Sequence, residues 1–142
     1  MTPDENKKLV QQMFDELMNA KNFSAIDKYI ASGYVNHGIP ISKTGPEGFK
    51  EALDQFTNGF PNMHVYAEQV IAEGDTVTTR GYWTGTHKGN FMNIPATNKQ
   101  VRVDYIDVWK IQNGKAVENW VQMDGVGMMQ QLGVMPAPST QS

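Results

Sequence analysis

Apolar residues recur at Leu9, Val10, Met13, Phe14, Leu17 and Met18, a 3.6-residue period that predicts one amphipathic helix of about five turns. The preceding "TPDE" places Thr2, Pro3 and Glu5 where a capping box and a first-turn proline belong, so the helix is expected to start there. "NFSAIDKYI" repeats the period more briefly, with Phe23, Ile26, Tyr29 and Ile30 on one face. "TGPEGFKEALDQF" repeats the start signal with Thr44 and Glu47, followed by the stripe Phe49, Leu53 and Phe56.

From Met63 the period changes to two, in segments rich in Val, Thr, Tyr and Trp. Strands are predicted at about 63–72, 76–87, 100–111 and 115–124, broken by "EGD" at 73–75 and by the hairpin dipeptide Asn113–Gly114. "KGNFMNIPATNKQ" between the second and third strands is long for a plain connection, as functional rims often are. A short helix over Met128–Leu132 stops at Gly133. One domain is expected over residues 1–134 and a flexible tail over 135–142. Helices followed by a meander define an α+β class: three N-terminal helices on one face of a curved, mostly antiparallel sheet, with a cavity between them.

The face patterns carry the functional information. On the last strand, Glu118, Trp120, Gln122 and Asp124 form one row and Val117, Asn119, Val121 and Met123 the other. If the polar row met water, nothing would need explaining. The alternative is that the polar row lines the cavity, leaving Val117, Val121 and Met123 on an outer face that a second copy would cover. The ring of Trp120 among hydrogen-bonding groups favours this second arrangement, since such a row suits a ligand wall. Asp124 would then sit in a partly dry pocket, where desolvation raises a carboxyl toward a pKa useful for proton transfer.

On strand 100–111, Tyr105, Asp107 and Trp109 share a face, and would extend that wall if they adjoin Trp120 and Asp124. Asp107 could equally pair with Arg80, an ion pair being somewhat favoured over catalysis. On strand 76–87, Arg80, Tyr82 and Thr84 oppose Gly81, Trp83 and Gly85; the pattern leaves open which set faces inward, and so whether Arg80 reaches a substrate or the surface.

Net charge is −3 with no basic run, which argues against nucleic-acid or anionic-membrane partners. No apolar run is long enough for a span, and the N-terminus lacks a signal-peptide pattern, so a cytoplasmic protein is expected. With no cysteine, thiolate nucleophiles and zinc–thiolate sites are excluded. His37, His64 and His87 lie 27 and 23 residues apart and match no metal motif. His37, after Tyr34 and Asn36 in "GYVNHGIP", either lines the cavity mouth or is an ordinary turn histidine; His87 is a rim or solvated strand-end residue. Phosphate-loop, dinucleotide and Gly-x-Ser-x-Gly patterns are absent, so cofactor-free, metal-free chemistry is the simplest expectation.

Taken as a set, "EGFKEALDQFTNGFPNMHV", "AEGDTVTTRGYWTGTHKGNF", "IDVWKIQNGKAVENW" and "DGVGMMQQLG" resemble the signatures of the SnoaL-like polyketide cyclase (ester cyclase) family, of the nuclear-transport-factor-2-like superfamily, over about residues 5–134. The chain departs from the family's usual Thr-Gly pair at Asn98–Lys99. The resemblance implies a cone of three helices on a curved sheet, a homodimer, and ring closure of a small hydrophobic polyketide-like substrate by intramolecular aldol chemistry without metal or cofactor. It implies the acid/base role for Asp124; by the needs of that chemistry His37 is a second catalytic candidate and, with Asn36 and Gln122, a candidate to position carbonyls, while the residue pattern itself offers Tyr34, Arg80, His87, Tyr105 and Trp120 as further substrate contacts. A hydrolase or dehydratase of the same fold and a non-catalytic ligand-binding dimer are the competing expectations.

Overall fold

A computed structural model describes residues 1–136; most of the predicted tail, residues 137–142, lies outside the described residues. Helix α1 (Pro3–Met13) starts as the capping box predicts, with Glu5 N–H donating to Thr2 Oγ1 at 3.1 Å and Thr2 N–H to Glu5 Oε1 at 3.0 Å. It runs on as a π-helical segment, Phe14–Asn19. Val10, Met13, Phe14 and Leu17 are buried. At its end the Asn19 amide pairs with the backbone N–H and C=O of Val65, at 2.7 and 3.0 Å, and so seals part of a sheet edge.

The second predicted helix is shorter than its stripe implies. A 3₁₀ turn, Phe23–Ala25, leads into α2 (Ile26–Tyr29), and Ile30 already opens strand β1 (Ile30–His37). The sequence pattern missed this strand, because Ser32 and Gly33 interrupt it and its burial does not alternate cleanly. Helix α3 (Gly45–Gly59) begins after Thr44, whose hydroxyl makes no capping bond, contrary to the expected start signal. It buries Phe49, Ala52 and Leu53.

The strands β2 (His64–Glu73), β3 (Thr76–Thr86), β4 (Gln100–Gln112) and β5 (Lys115–Met123) fall close to their predicted spans. Asn113 and Gly114 both take positive φ, 51° and 75°, as a type I′ hairpin requires. The sheet order is β1-β5-β4-β3-β2, antiparallel except for the β1–β5 pair. Helix α4 (Gly125–Leu132) follows β5 and ends at Gly133, φ 78°. Its Gln131 side chain exchanges hydrogen bonds with the backbone of Arg102, at 2.7 and 2.9 Å, where β4 extends beyond β5. In the long β3–β4 loop, Asn98 takes φ 60°, a conformation that glycine or asparagine tolerates best, and Phe91 enters the core.

The helices cover one sheet face, and β3 settles its own orientation: Val77, Thr79, Gly81, Trp83 and Gly85 are buried, whereas Arg80 is exposed. β5 contains a bulge. Lys110 pairs with Glu118 but Ile111 with Ala116, so Val117 is an extra residue in the ladder. Beyond it Asn119, Val121 and Met123 face inward, while Trp120, Gln122 and Asp124 are exposed. The inward polar row and the outward apolar row expected for this strand are therefore exchanged.

Candidate functional site

Between the helices and the inner sheet face lies a cavity of about 90 Å³, room for several waters or part of a compact organic molecule. Phe14 and Met18 line it from the first helix and Phe49, Ala52, Leu53 and Phe56 from α3; Trp83, Tyr105, Trp109, Val121 and Met123 form the sheet wall. Amphipathic periodicity puts the helical residues there, since the stripe that leaves water must face the sheet.

Two polar groups interrupt this wall. The first is a cluster across β1 and β5, brought together because Asn36 registers with Asn119. Asn36 Nδ2 donates to Tyr34 Oη at 2.9 Å and to Asn119 Oδ1 at 3.2 Å, and Asn119 Nδ2 donates to the Val108 carbonyl at 3.0 Å. The Asn36 Oδ1 accepts from Ile39 N–H at 3.3 Å. These groups largely satisfy one another. Burial pushes the Tyr34 phenol above its ordinary range, against the opposing effect of Asn36.

The second group centres on Asp107, which is 5% exposed and is the only carboxyl among the cavity-lining residues described. Burial raises its pKa from 3.8 to about 7, although the Thr79 hydroxyl and the Trp109 indole both favour the charged form. Thr79 hydrogen-bonds Asp107 Oδ1 and lies opposite it in the β3–β4 ladder. The Trp109 N–H lies near the carboxyl but outside hydrogen-bond geometry, and is left without a partner, as is the Trp83 N–H. Tyr105 Oη lies 3.5 Å from Thr79 Oγ1, and burial pushes its pKa up to about 12. Among the described residues no Lys, Arg or His lines the cavity, so nothing cationic there offsets the carboxylate.

Of the residues singled out from sequence, Tyr34, Asn36, Tyr105, Asp107 and Trp109 line this cavity, whereas His37, Arg80, His87, Trp120, Gln122 and Asp124 do not. Asp124 ends outside it as the N-cap of α4, exposed, with Oδ1 accepting from Gly127 N–H at 2.8 Å. The dry pocket expected around it is therefore not its setting. Gln122 is exposed on the outer sheet face. Trp120 is 41% exposed there and stacks on His37 at 5.2 Å, while His37 Nε2 meets Glu118 Oε2 at 2.7 Å. Arg80 also points outward, its Nε donating to Gln69 Oε1 at 3.0 Å; it makes no pair with Asp107. His87 is neither solvated nor in the cavity. It is fully buried against Phe60, and its Nδ1 accepts from Thr97 N–H at 3.2 Å to anchor the long loop.

Sequence reasoning passed over Thr79 and Asn119 and ranked Asp107 below Asp124. The signal available for Asp107 was its place between Tyr105 and Trp109, two large aromatics on one strand face. Among the described residues, no group of three His, Asp or Glu side chains is arranged to hold a metal, and no helix is long and apolar enough to cross a membrane.

Fold and site together define an α+β cone whose cavity holds, among the described residues, a single buried carboxyl. The sequence matches the family model of the SnoaL-like polyketide cyclases over residues 8–132, and the chain belongs to that family. A protein of Acidithiobacillus ferrooxidans proposed to be a polyketide cyclase is 28% identical, covering 92% of this chain and 95% of its own, with a TM-score of 0.81. IdmH of Streptomyces antibioticus is 25% identical over 90% and 98% of the two chains, TM-score 0.77. TsrD of Streptomyces laurentii, at 22% identity, shares the fold over 95% and 99%, TM-score 0.85. No curated protein matches the chain significantly.

Proposed function

We propose that the chain is a cofactor-independent enzyme that moves a proton on a neutral, largely apolar carbonyl compound of polyketide type, with Asp107 as the acid/base. The observation that carries this reading is the Asp107 carboxyl, alone in an apolar cavity and held at about 7 by burial. A group with that pKa is present in both protonation states near neutrality, as a residue that must take and return one proton should be.

In the aldol direction, ionised Asp107 takes the proton from the carbon between two carbonyls, breaking C–H and forming O–H. The enolate carbon then forms the new C–C bond to a second carbonyl. The resulting alkoxide recovers the proton from Asp107, so the enzyme ends as it began. The unpartnered indole N–H of Trp109 is the nearby donor suited to an enolate oxygen. The absence of a lining cation disfavours a carboxylate-bearing substrate, which would meet Asp107 unpaired. A hydrolase or dehydratase would draw on the same carboxyl to activate water.

The test is turnover of 1,3-dicarbonyl model compounds and short polyketide mimics by Asp107→Asn and Asp124→Asn. Loss of at least a hundredfold in the first and near-normal rate in the second is expected. A fully active Asp107→Asn enzyme overturns the assignment.

The same reading includes a homodimer formed through the outer sheet face. Register pairing aligns Ile71, Thr78, Val108, Trp120 and His37 in one band across all five strands, and Ile106 beside it is 52% exposed. A monomer would leave this band in water, and a second copy would bury it.

A further inference from the structure

Thr79 is wholly buried, lies on β3, and has one hydroxyl proton to place between two oxygens. Its Oγ1 contacts both Asp107 Oδ1 and, at 3.5 Å, Tyr105 Oη. With Asp107 ionised, the carboxylate can only accept, so the Thr79 proton must point to it. The remaining contact then runs the other way, from the Tyr105 hydroxyl to Thr79 Oγ1. Tyr105 and Asp107 stand two residues apart on β4, on one face, and Thr79 registers directly with Asp107.

We propose that Thr79 is the positioning residue for Asp107: it holds one carboxyl oxygen in a directed Tyr105–Thr79–Asp107 chain and leaves the other for the substrate. The inference rests on the acid/base reading above and adds to it a residue that never touches the substrate. The chain acts in both protonation states. When Asp107 is ionised, Thr79 donates to it and steadies the charge. When Asp107 is protonated on the free oxygen, Oδ1 remains an acceptor and keeps the same bond, so the acid proton stays on the side facing the cavity. No reorientation of the carboxyl is needed between taking the proton and returning it.

The surroundings make this bond matter. The ionisable groups that face Asp107 are the phenols of Tyr34 on β1 and Tyr105 on β4; α1 and α3 present only apolar side chains to the cavity. Glu68 on β2 acts on Tyr105 from the outer side. With no cation lining the cavity among the described residues, the Thr79 hydroxyl, then the Trp109 N–H and the Thr79 backbone N–H, oppose the effect of burial.

The test compares Thr79→Val, which keeps the shape and removes the hydroxyl, with Thr79→Ser, which keeps the hydroxyl. The Asp107 titration is followed in the unliganded protein by carbon-detected NMR of labelled aspartate carboxyls. Thr79→Val is expected to raise the Asp107 midpoint by about one pH unit, and Thr79→Ser to restore it. In turnover, Thr79→Val should lower kcat and move the acid limb of the pH profile upward with KM little changed. An unmoved midpoint in a folded Thr79→Val protein, or a Thr79→Ser variant as displaced as Thr79→Val, overturns the proposal. Undiminished turnover by Asp107→Asn instead overturns the acid/base reading alone, while the NMR titration still decides the role of Thr79.

Discussion

Asp107 on β4 lies directly opposite Val121 on β5, both facing the cavity, while their neighbours Val108 and Trp120 pair on the outside of the same sheet. This juxtaposition puts an ionisable group beside an aliphatic one, with Phe14, Phe49 and Leu53 arriving from the helices. The carboxyl is dry for that reason, and its chemistry and its cost to stability share one cause.

Asp107→Asn is expected to change stability in a pH-dependent way. The folded-state pKa, about 7, lies above the ordinary 3.8, so ionisation disfavours the folded wild type. Below about pH 4 the group is neutral folded and unfolded, and no penalty exists. The penalty grows as pH rises toward 7 and then levels off, on the order of 4 kcal/mol. Thermal melts of the asparagine variant should therefore gain on wild type between these limits and run parallel above them. A constant difference from pH 4 to 8 would contradict the buried carboxyl.

Asp124→Ala removes a helix cap and nothing from the cavity. A loss of about 1 kcal/mol is expected, with turnover and ligand affinity kept. Chemical denaturation alongside a binding assay checks both halves.

Asn119 is 1% exposed and serves Asn36 and the Val108 carbonyl together. Truncating it to alanine strands both partners in a dry site, and a loss of about 2–3 kcal/mol follows. Asn36 should also become mobile, visible as exchange broadening of its side-chain amide in NMR spectra.

Trp120→Glu places a charge within the outer band beside Val108. Sedimentation equilibrium at micromolar concentration should show a dimer for wild type and a monomer for the variant. A wild-type monomer would contradict the use of this face between copies.

The boundaries of α1, of the four long strands and of the Asn113–Gly114 hairpin were legible from the sequence, because each rests on local physics: a 3.6 or 2.0 period, a capping box, a dipeptide suited to positive φ. The signatures in "IDVWKIQNGKAVENW" and "DGVGMMQQLG" also carried the family. β1 was hidden, since Ser32 and Gly33 carry no strand pattern and only its pairing with β5 makes it one.

Which carboxyl enters the pocket was decided by tertiary structure. A two-residue turn with an unbroken ladder would set Trp120 opposite Asp107 and turn Asp124 inward. The extra residue at Val117 advances β5 by one, and with a period of two a single step exchanges the faces of every residue beyond it. The alternation of β5 was written in its sequence; its phase was set by one bulge, fixed where Asn119, Val121 and Met123 gain burial against the helices.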